Sequence, residues 1–196
     1  MSMFVMSRRL LREYMREILT EQDVKFSGIL KIMPSPSMVA QAEEIVKTLP
    51  LETTVPWMAQ LEVPDPNMQC RMDDMGIMLC RTIPLSPDRF HVTLAHQSVL
   101  KPFRKLLKPL GKAGWPDIPP PPPIVLDQEW EERDDPLLRR RSWVAWVQNQ
   151  DDVREYLNMI MSAVGGPMNV WETETPQRVF HVSLANLTGN PGDSVR

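Results

Sequence analysis

Hydrophobic and polar positions along the chain fall into two repeats of one pattern. Leu10, Leu11, Tyr14, Met15, Ile18 and Leu19 recur at helical spacing with Arg and Glu between them, which predicts an amphipathic helix over Ser7–Glu21. Both charge signs share its polar face, so it reads as a helix packed on the body rather than a membrane-surface helix. Residues 26–32, Phe-Ser-Gly-Ile-Leu-Lys-Ile, predict a strand, punctuated by Pro34 and Pro36. Ser35 or Ser37 then caps a helix whose Val39, Ala42, Ile45, Val46 and Leu49 share a face, ending near Pro50. Residues 51–73, with Pro56, Pro64 and Pro66, predict a long loop with short extended pieces. Gly76–Cys80 predicts another short strand, and Ser86-Pro-Asp88 is a turn signal opening a strand at Phe90–Ala95.

After the basic segment Leu100–Leu110, five consecutive prolines, Pro119–Pro123, offer no amide donors and favour polyproline II. They predict a stiff connector. The second half then repeats the grammar of the first. Ile124–Trp130 and Ser142–Gln148 predict strands around a charged hairpin. Asp151 is placed to cap a helix bearing Val153, Tyr156, Leu157, Ile160, Met161 and Val164, closed by Gly165-Gly166. Arg178–Asn186 predicts the last strand.

The halves end on one hexapeptide. Phe90-His91-Val92-Thr93-Leu94-Ala95 and Phe180-His181-Val182-Ser183-Leu184-Ala185 differ by a Thr/Ser exchange, and their histidines stand 90 residues apart. Side chains at i and i+2 of a strand share a face. His91 therefore points with Thr93, and His181 with Ser183, while Val92, Leu94, Val182 and Leu184 supply the packed faces. Two facing lobes would bring two imidazoles and two hydroxyls into one cleft. That set suits phosphoester cleavage: a neutral imidazole takes a proton, a charged one donates, and hydroxyls bind the non-bridging oxygens. Neither motif carries the carboxylate or cysteine partners of a metal site, so no metal and no cofactor is expected.

Composition narrows the setting. The chain has 196 residues, enough for one large domain or two small lobes, and is 42% hydrophobic, enough for a core. Its net charge of −3 gives no bulk grip on nucleic acid, so DNA duplex binding is not expected. Two cysteines, Cys70 and Cys80, do not make a disulfide framework and read as reduced thiols of a cytoplasmic protein. No apolar run approaches membrane-spanning length, and the N-terminal residues lack the long apolar core of a signal peptide.

At the two His-x-Thr/Ser motifs the chain resembles the 2H phosphoesterase superfamily, which is named for such a pair at the ends of two duplicated lobes. That superfamily includes RNA 2′,3′-cyclic phosphodiesterases, the bacterial "2′-5′ RNA ligase" group, viral 2′-5′ oligoadenylate phosphodiesterases and phage anti-CBASS nucleases acting on cyclic oligonucleotide signals. The resemblance spans about residues 25–190, and the tail from Val179 to Pro191 is similar to phage members. It implies an α+β, bilobal, duplicated fold with two antiparallel sheets facing across a central cleft and helices outside. Lobe one would span about 25–98 and lobe two about 124–190, joined by a connector at about 116–123, with residues 1–24 as a helical extension. It implies a metal-independent phosphodiesterase of the host cytoplasm that cleaves 3′-5′ bonds of cyclic oligonucleotides. The alternatives are an RNA 2′,3′-cyclic or 2′-5′ phosphodiesterase, or a nucleotide-binding module without turnover.

His91, Thr93, His181 and Ser183 are the expected catalytic set. Trp143 and Trp146 lie on opposite faces of their strand, so only one can line the cleft; Trp143 and Trp130 are the candidates for stacking on a base. Lys101, Arg104, Lys105 and Lys108 form a local basic cluster suited to guiding an anion, with Lys101 and Arg104 as candidate contacts. Asn186 and Thr188 follow the second motif closely and are candidates for phosphate or ribose. His96 falls on the opposite strand face if the strand continues, which puts it outside the site.

Overall fold

Alternating buried and half-buried positions organise the chain around one large antiparallel sheet, seen in a computed structural model that describes residues 24–26, 29–60, 66–105, 107, 119–165 and 178–195. The helix expected over Ser7–Glu21, as well as Lys108 and Gly166, lie outside the described residues. In chain order the strands are β1 (Val24–Phe26), β2 (Leu30–Ile32), β3 (Glu52–Thr54), β4 (Cys70–Met72), β5 (Met78–Arg81), β6 (Ile83–Pro84), β7 (Val92–Ala95), β8 (Leu126–Asp135), β9 (Arg140–Val147) and β10 (His181–Asn186). Two helices, α1 (Pro36–Val46) and α2 (Gln150–Val164), complete an α+β fold.

The large sheet runs β1-β2-β7-β10-β9-β8, with β6 also on β10; β3, β5 and β4 form a second sheet of three strands. The large sheet's order reads alike from either edge. Each half brings a hairpin, then a helix, then a motif strand laid against the hairpin's second strand. Both motif strands belong to this one sheet, where β7 and β10 pair antiparallel at Val92 and Val182. This corrects the expectation of a cleft between two opposed sheets. The site lies on one face of a single sheet, at the seam of its halves.

One core serves both halves. Leu30, Ile32, Val92, Leu94, Val182, Leu184 and Trp143 are fully buried in a single cluster with Met38 of α1 and Leu157 of α2. The helix α1 starts where Ser35 accepts from the Met38 amide and Pro36 fits the first turn, and it packs against β8 and β10 of the other half. Its Gln41 donates to the Ile124 carbonyl and accepts from the Leu126 amide, fixing the chain where it leaves the proline run. Gln150 of α2 does the same for the second motif strand, bonding both the amide and the carbonyl of Phe180.

Three local expectations change. The predicted strand 26–32 is a hairpin, with Val24 opposite Ile32 and Phe26 opposite Leu30. Residues 51–73 hold short extended pieces as expected, β3 and β4, and both pair with β5. The second helix begins at Gln150 after Asn149, whose side chain holds Pro123 and Val125, so Asp151 sits in its first turn and is not the cap. Cys70 and Cys80 are directly opposed on β4 and β5, 4.0 Å apart at Cα, and are joined in a disulfide, which corrects the expectation of free thiols. Pro119–Pro123 are in no strand, as a connector requires, and are held by bonds from Tyr156 to Pro119 and Asn149 to Pro123. Among the described residues no helix is long and apolar enough to cross a membrane.

Candidate active site

Strand parity decides what each motif presents. On β7, Val92 and Leu94 are wholly buried while Thr93 is half-buried on the other face; on β10, Val182 and Leu184 are buried while His181 and Ser183 share the opposite side. His91 stands just before β7, after the single turn of helix at Pro87–Arg89. Because β7 and β10 are neighbours, these side chains converge. His91, Thr93, His181 and Ser183 line one cavity of about 230 Å³, together with Lys31, His96 and the backward-folded segment from Pro191 to Val195.

The Arg89 carbonyl lies 2.7 Å from Nδ1 of His91. A carbonyl can only accept, so Nδ1 carries the proton, and in the neutral ring Nε2 keeps a free lone pair. His181 and Trp146 pack edge to face, with ring centroids 5.5 Å apart and planes at 81°. Trp146 is itself held by its indole N–H donating to Glu131 at 2.8 Å, with the Arg133 guanidinium 5.7 Å from its ring centroid. Arg178 donates to the Thr93 carbonyl at 3.2 Å and ties the approach to β10 onto β7.

The cavity is cationic and partly dry. Burial pushes the His181 imidazole down to about 4, aided by the charges of Arg133 and Arg178 and by His96 and His91. Burial also lowers His91, opposed by its bond to Arg89 and reinforced by Lys31. Lys31 is itself lowered by burial and by the charges of Lys25 and Arg89. Burial is the largest cause of all three shifts, and neighbouring positive charges push each of them further down.

The motif residues meet as expected; most of the flanking candidates do not. Trp143 is fully buried in the core, and it is Trp146, on the opposite face, that packs against His181 without lining the cavity. Trp130 pairs across from Ala145 on the core side and lines a second cavity together with Trp146, not the histidine cavity. Lys101 and Arg104 are exposed and do not line the histidine cavity. Asn186 is fully buried: it accepts from the Thr188 and Gly189 amides and donates to Asn190 and Ser194, so it folds the last segment instead of touching a ligand. Thr188 donates to Asp193 within that same turn.

His96 is the opposite case. The strand ends at Ala95, and the backbone turns at His96 (φ −85°, ψ 163°) into the helical turn Gln97–Leu100, so the parity that placed it away from the site no longer applies. All three histidines of the chain line the cavity. Lys31 went unnoticed because nothing in the sequence pairs β2 with β7, though its place between the buried Leu30 and Ile32 marks it as facing the other way. Among the described residues no three His, Cys, Asp or Glu side chains cluster closely enough to hold a metal ion. No family model, curated protein or solved structure matches the chain.

Proposed function

We propose that the chain is a metal-independent phosphodiesterase with a duplicated two-lobed fold of the 2H phosphoesterase kind, cleaving 3′-5′ bonds of cyclic oligonucleotides. The observation that carries this reading is the convergence of His91, Thr93, His181 and Ser183 on one cationic cavity. The mirrored strand order on either side of the β7/β10 seam supports the duplication.

The His91 tautomer suits it to act as the base, which leaves the acid role to His181. Nε2 of His91 takes the proton of the ribose 2′-hydroxyl, whose oxygen attacks the neighbouring phosphorus. The P–O5′ bond breaks, and protonated His181 gives its proton to the departing 5′-oxygen. Thr93 and Ser183 donate hydrogen bonds to the two non-bridging oxygens as charge grows on them. His181 is a poor proton carrier in the empty cavity. A phosphodiester anion offsets Arg133 and Arg178 and lifts its pKa, so the substrate itself arms the acid.

The test incubates the full chain with EDTA and a panel of cyclic di- and trinucleotides, 2′-5′-linked oligonucleotides and RNAs ending in a 2′,3′-cyclic phosphate. Turnover of cyclic oligonucleotides in chelator is expected, falling by about 10²-fold or more in His91→Ala and in His181→Ala. Turnover abolished by EDTA, or undiminished in either variant, removes the mechanism. Preference for the RNA substrates moves the assignment to an RNA enzyme, and tight binding with no turnover on any of them moves it to a binding module.

A further inference from the structure

The two motifs are chemically interchangeable, each bringing an imidazole and a hydroxyl to the seam. The strands beside them are not. The sheet register places Lys31 of β2 against Thr93, whereas the residue against Ser183 on β9 is Val144. A duplicated fold has no need of that difference, so it belongs to what the cavity holds.

The four motif groups already account for the scissile phosphate. The reaction involves the 2′-oxygen that attacks, the 5′-oxygen that leaves and two non-bridging oxygens; the histidines serve the first two and the hydroxyls the last. Lys31 and His96 are left over, both from the first half and both lining the cavity. Lys31 projects to the cavity face between the buried Leu30 and Ile32. It also stands directly across from Lys25 on β1, a like-charge pairing that is unfavourable unless an anion joins it. His96 follows the last residue of β7, displaced along the strand from Thr93 by three positions.

We propose that Lys31 and His96 form a subsite for a second phosphate, so that the substrate is an oligonucleotide carrying a phosphate next to the one cleaved and not a cyclic mononucleotide. This rests on the phosphodiesterase reading for the nature of the ligand, and it gives the cavity a direction. The neighbouring phosphate lies on the β2 side, and the base beyond the cleaved bond lies on the β9 side, where Trp146 packs on His181.

Calorimetry with the full chain separates the two claims, using adenosine 3′-monophosphate and adenosine 3′,5′-bisphosphate as probes. The bisphosphate is expected to bind about tenfold more tightly, the gain of one charge-assisted contact. That advantage shrinks toward none in Lys31→Gln and in His96→Gln. It persists in Lys101→Gln, which removes one positive charge outside the cavity. Equal affinity of the wild type for both probes overturns the subsite, as does failure to bind either. So does an advantage that survives both cavity substitutions, or one that Lys101→Gln removes equally. A protein that prefers the bisphosphate yet turns over no phosphodiester keeps the subsite and loses the enzymatic reading. One that cleaves cyclic oligonucleotides without the preference does the reverse.

Discussion

Trp146 and His181 stand opposite each other on β9 and β10, their rings packed edge to face with centroids 5.5 Å apart. The indole shields one side of the ring from water and is itself locked by its bond to Glu131. One side chain thus covers part of the His181 ring and keeps a half-buried aromatic surface beside the cavity.

Removing the indole tests both roles. In Trp146→Ala, water reaches His181, and because burial is the first cause of its lowered pKa, the value rises from about 4 toward 6.5. An NMR titration of the His181 ring protons reads this directly. A base stacked on the indole contributes about 1–3 kcal/mol, so nucleotide affinity falls about tenfold or more in the same variant. An unmoved titration midpoint with unchanged affinity assigns Trp146 to packing alone.

What the sequence could and could not convey follows from the range of each interaction. The facing of His91 with Thr93 and of His181 with Ser183 depends only on strand parity, which is local, and the fold keeps it. Lys31 and Trp146 depend on register between strands far apart in the chain, and no local pattern encodes which residue will stand opposite which. His96 escaped because its side was assigned by extending a strand that stops one residue earlier. Trp143 shows the limit of a different rule: parity separated it from Trp146, but which face met the core depended on packing by the rest of the sheet. The pairing of Cys70 with Cys80 needed a hairpin recognised between them, and Cys70 lies at the end of a stretch that the upstream Pro56, Pro64 and Pro66 mark as a loop.

Asn186 links stability to the shape of the cavity. Its buried carboxamide bonds four groups of the segment that follows, and that segment supplies Pro191, Gly192, Ser194 and Val195 to the cavity wall. Asn186→Ala leaves the Thr188 and Gly189 amides without their acceptor and costs about 1–3 kcal/mol of stability by urea unfolding. Because the side chain does not touch the reacting groups, KM rises more than kcat falls, and the pH profile keeps its midpoints. A shifted profile means the residue acts on the histidines.

The disulfide bears on the small sheet. Closing a segment of separation 10 between Cys70 and Cys80 stabilises by about 3 kcal/mol on the chain-entropy account. Cys70→Ser, or reductant added to the native chain, is expected to lower the urea midpoint by a corresponding amount. Two titratable thiols in the untreated native protein, with a midpoint indifferent to reductant, remove the cross-link from the account.

The titration of His181 also governs how stability depends on pH. In the unfolded chain this imidazole takes up its proton near pH 6.5, but in the fold it stays neutral down to about 4. Between those values the unfolded state binds the proton and the native state does not, so stability falls as the pH drops from 6.5 to 4 and levels off below. The full native advantage is present above 6.5. A shift of this size corresponds to about 3 kcal/mol over the window. His91, lowered in the same direction, adds to the slope. Carboxylates titrate in part of this range as well, so the informative quantity is the difference between wild type and His181→Gln, measured by urea unfolding at several values from pH 7 to pH 4. The variant is expected to lose less stability on acidification, with the gap opening below 6.5. Parallel curves across the window place the His181 ring in contact with water and undo the account of a dry, cation-crowded cavity.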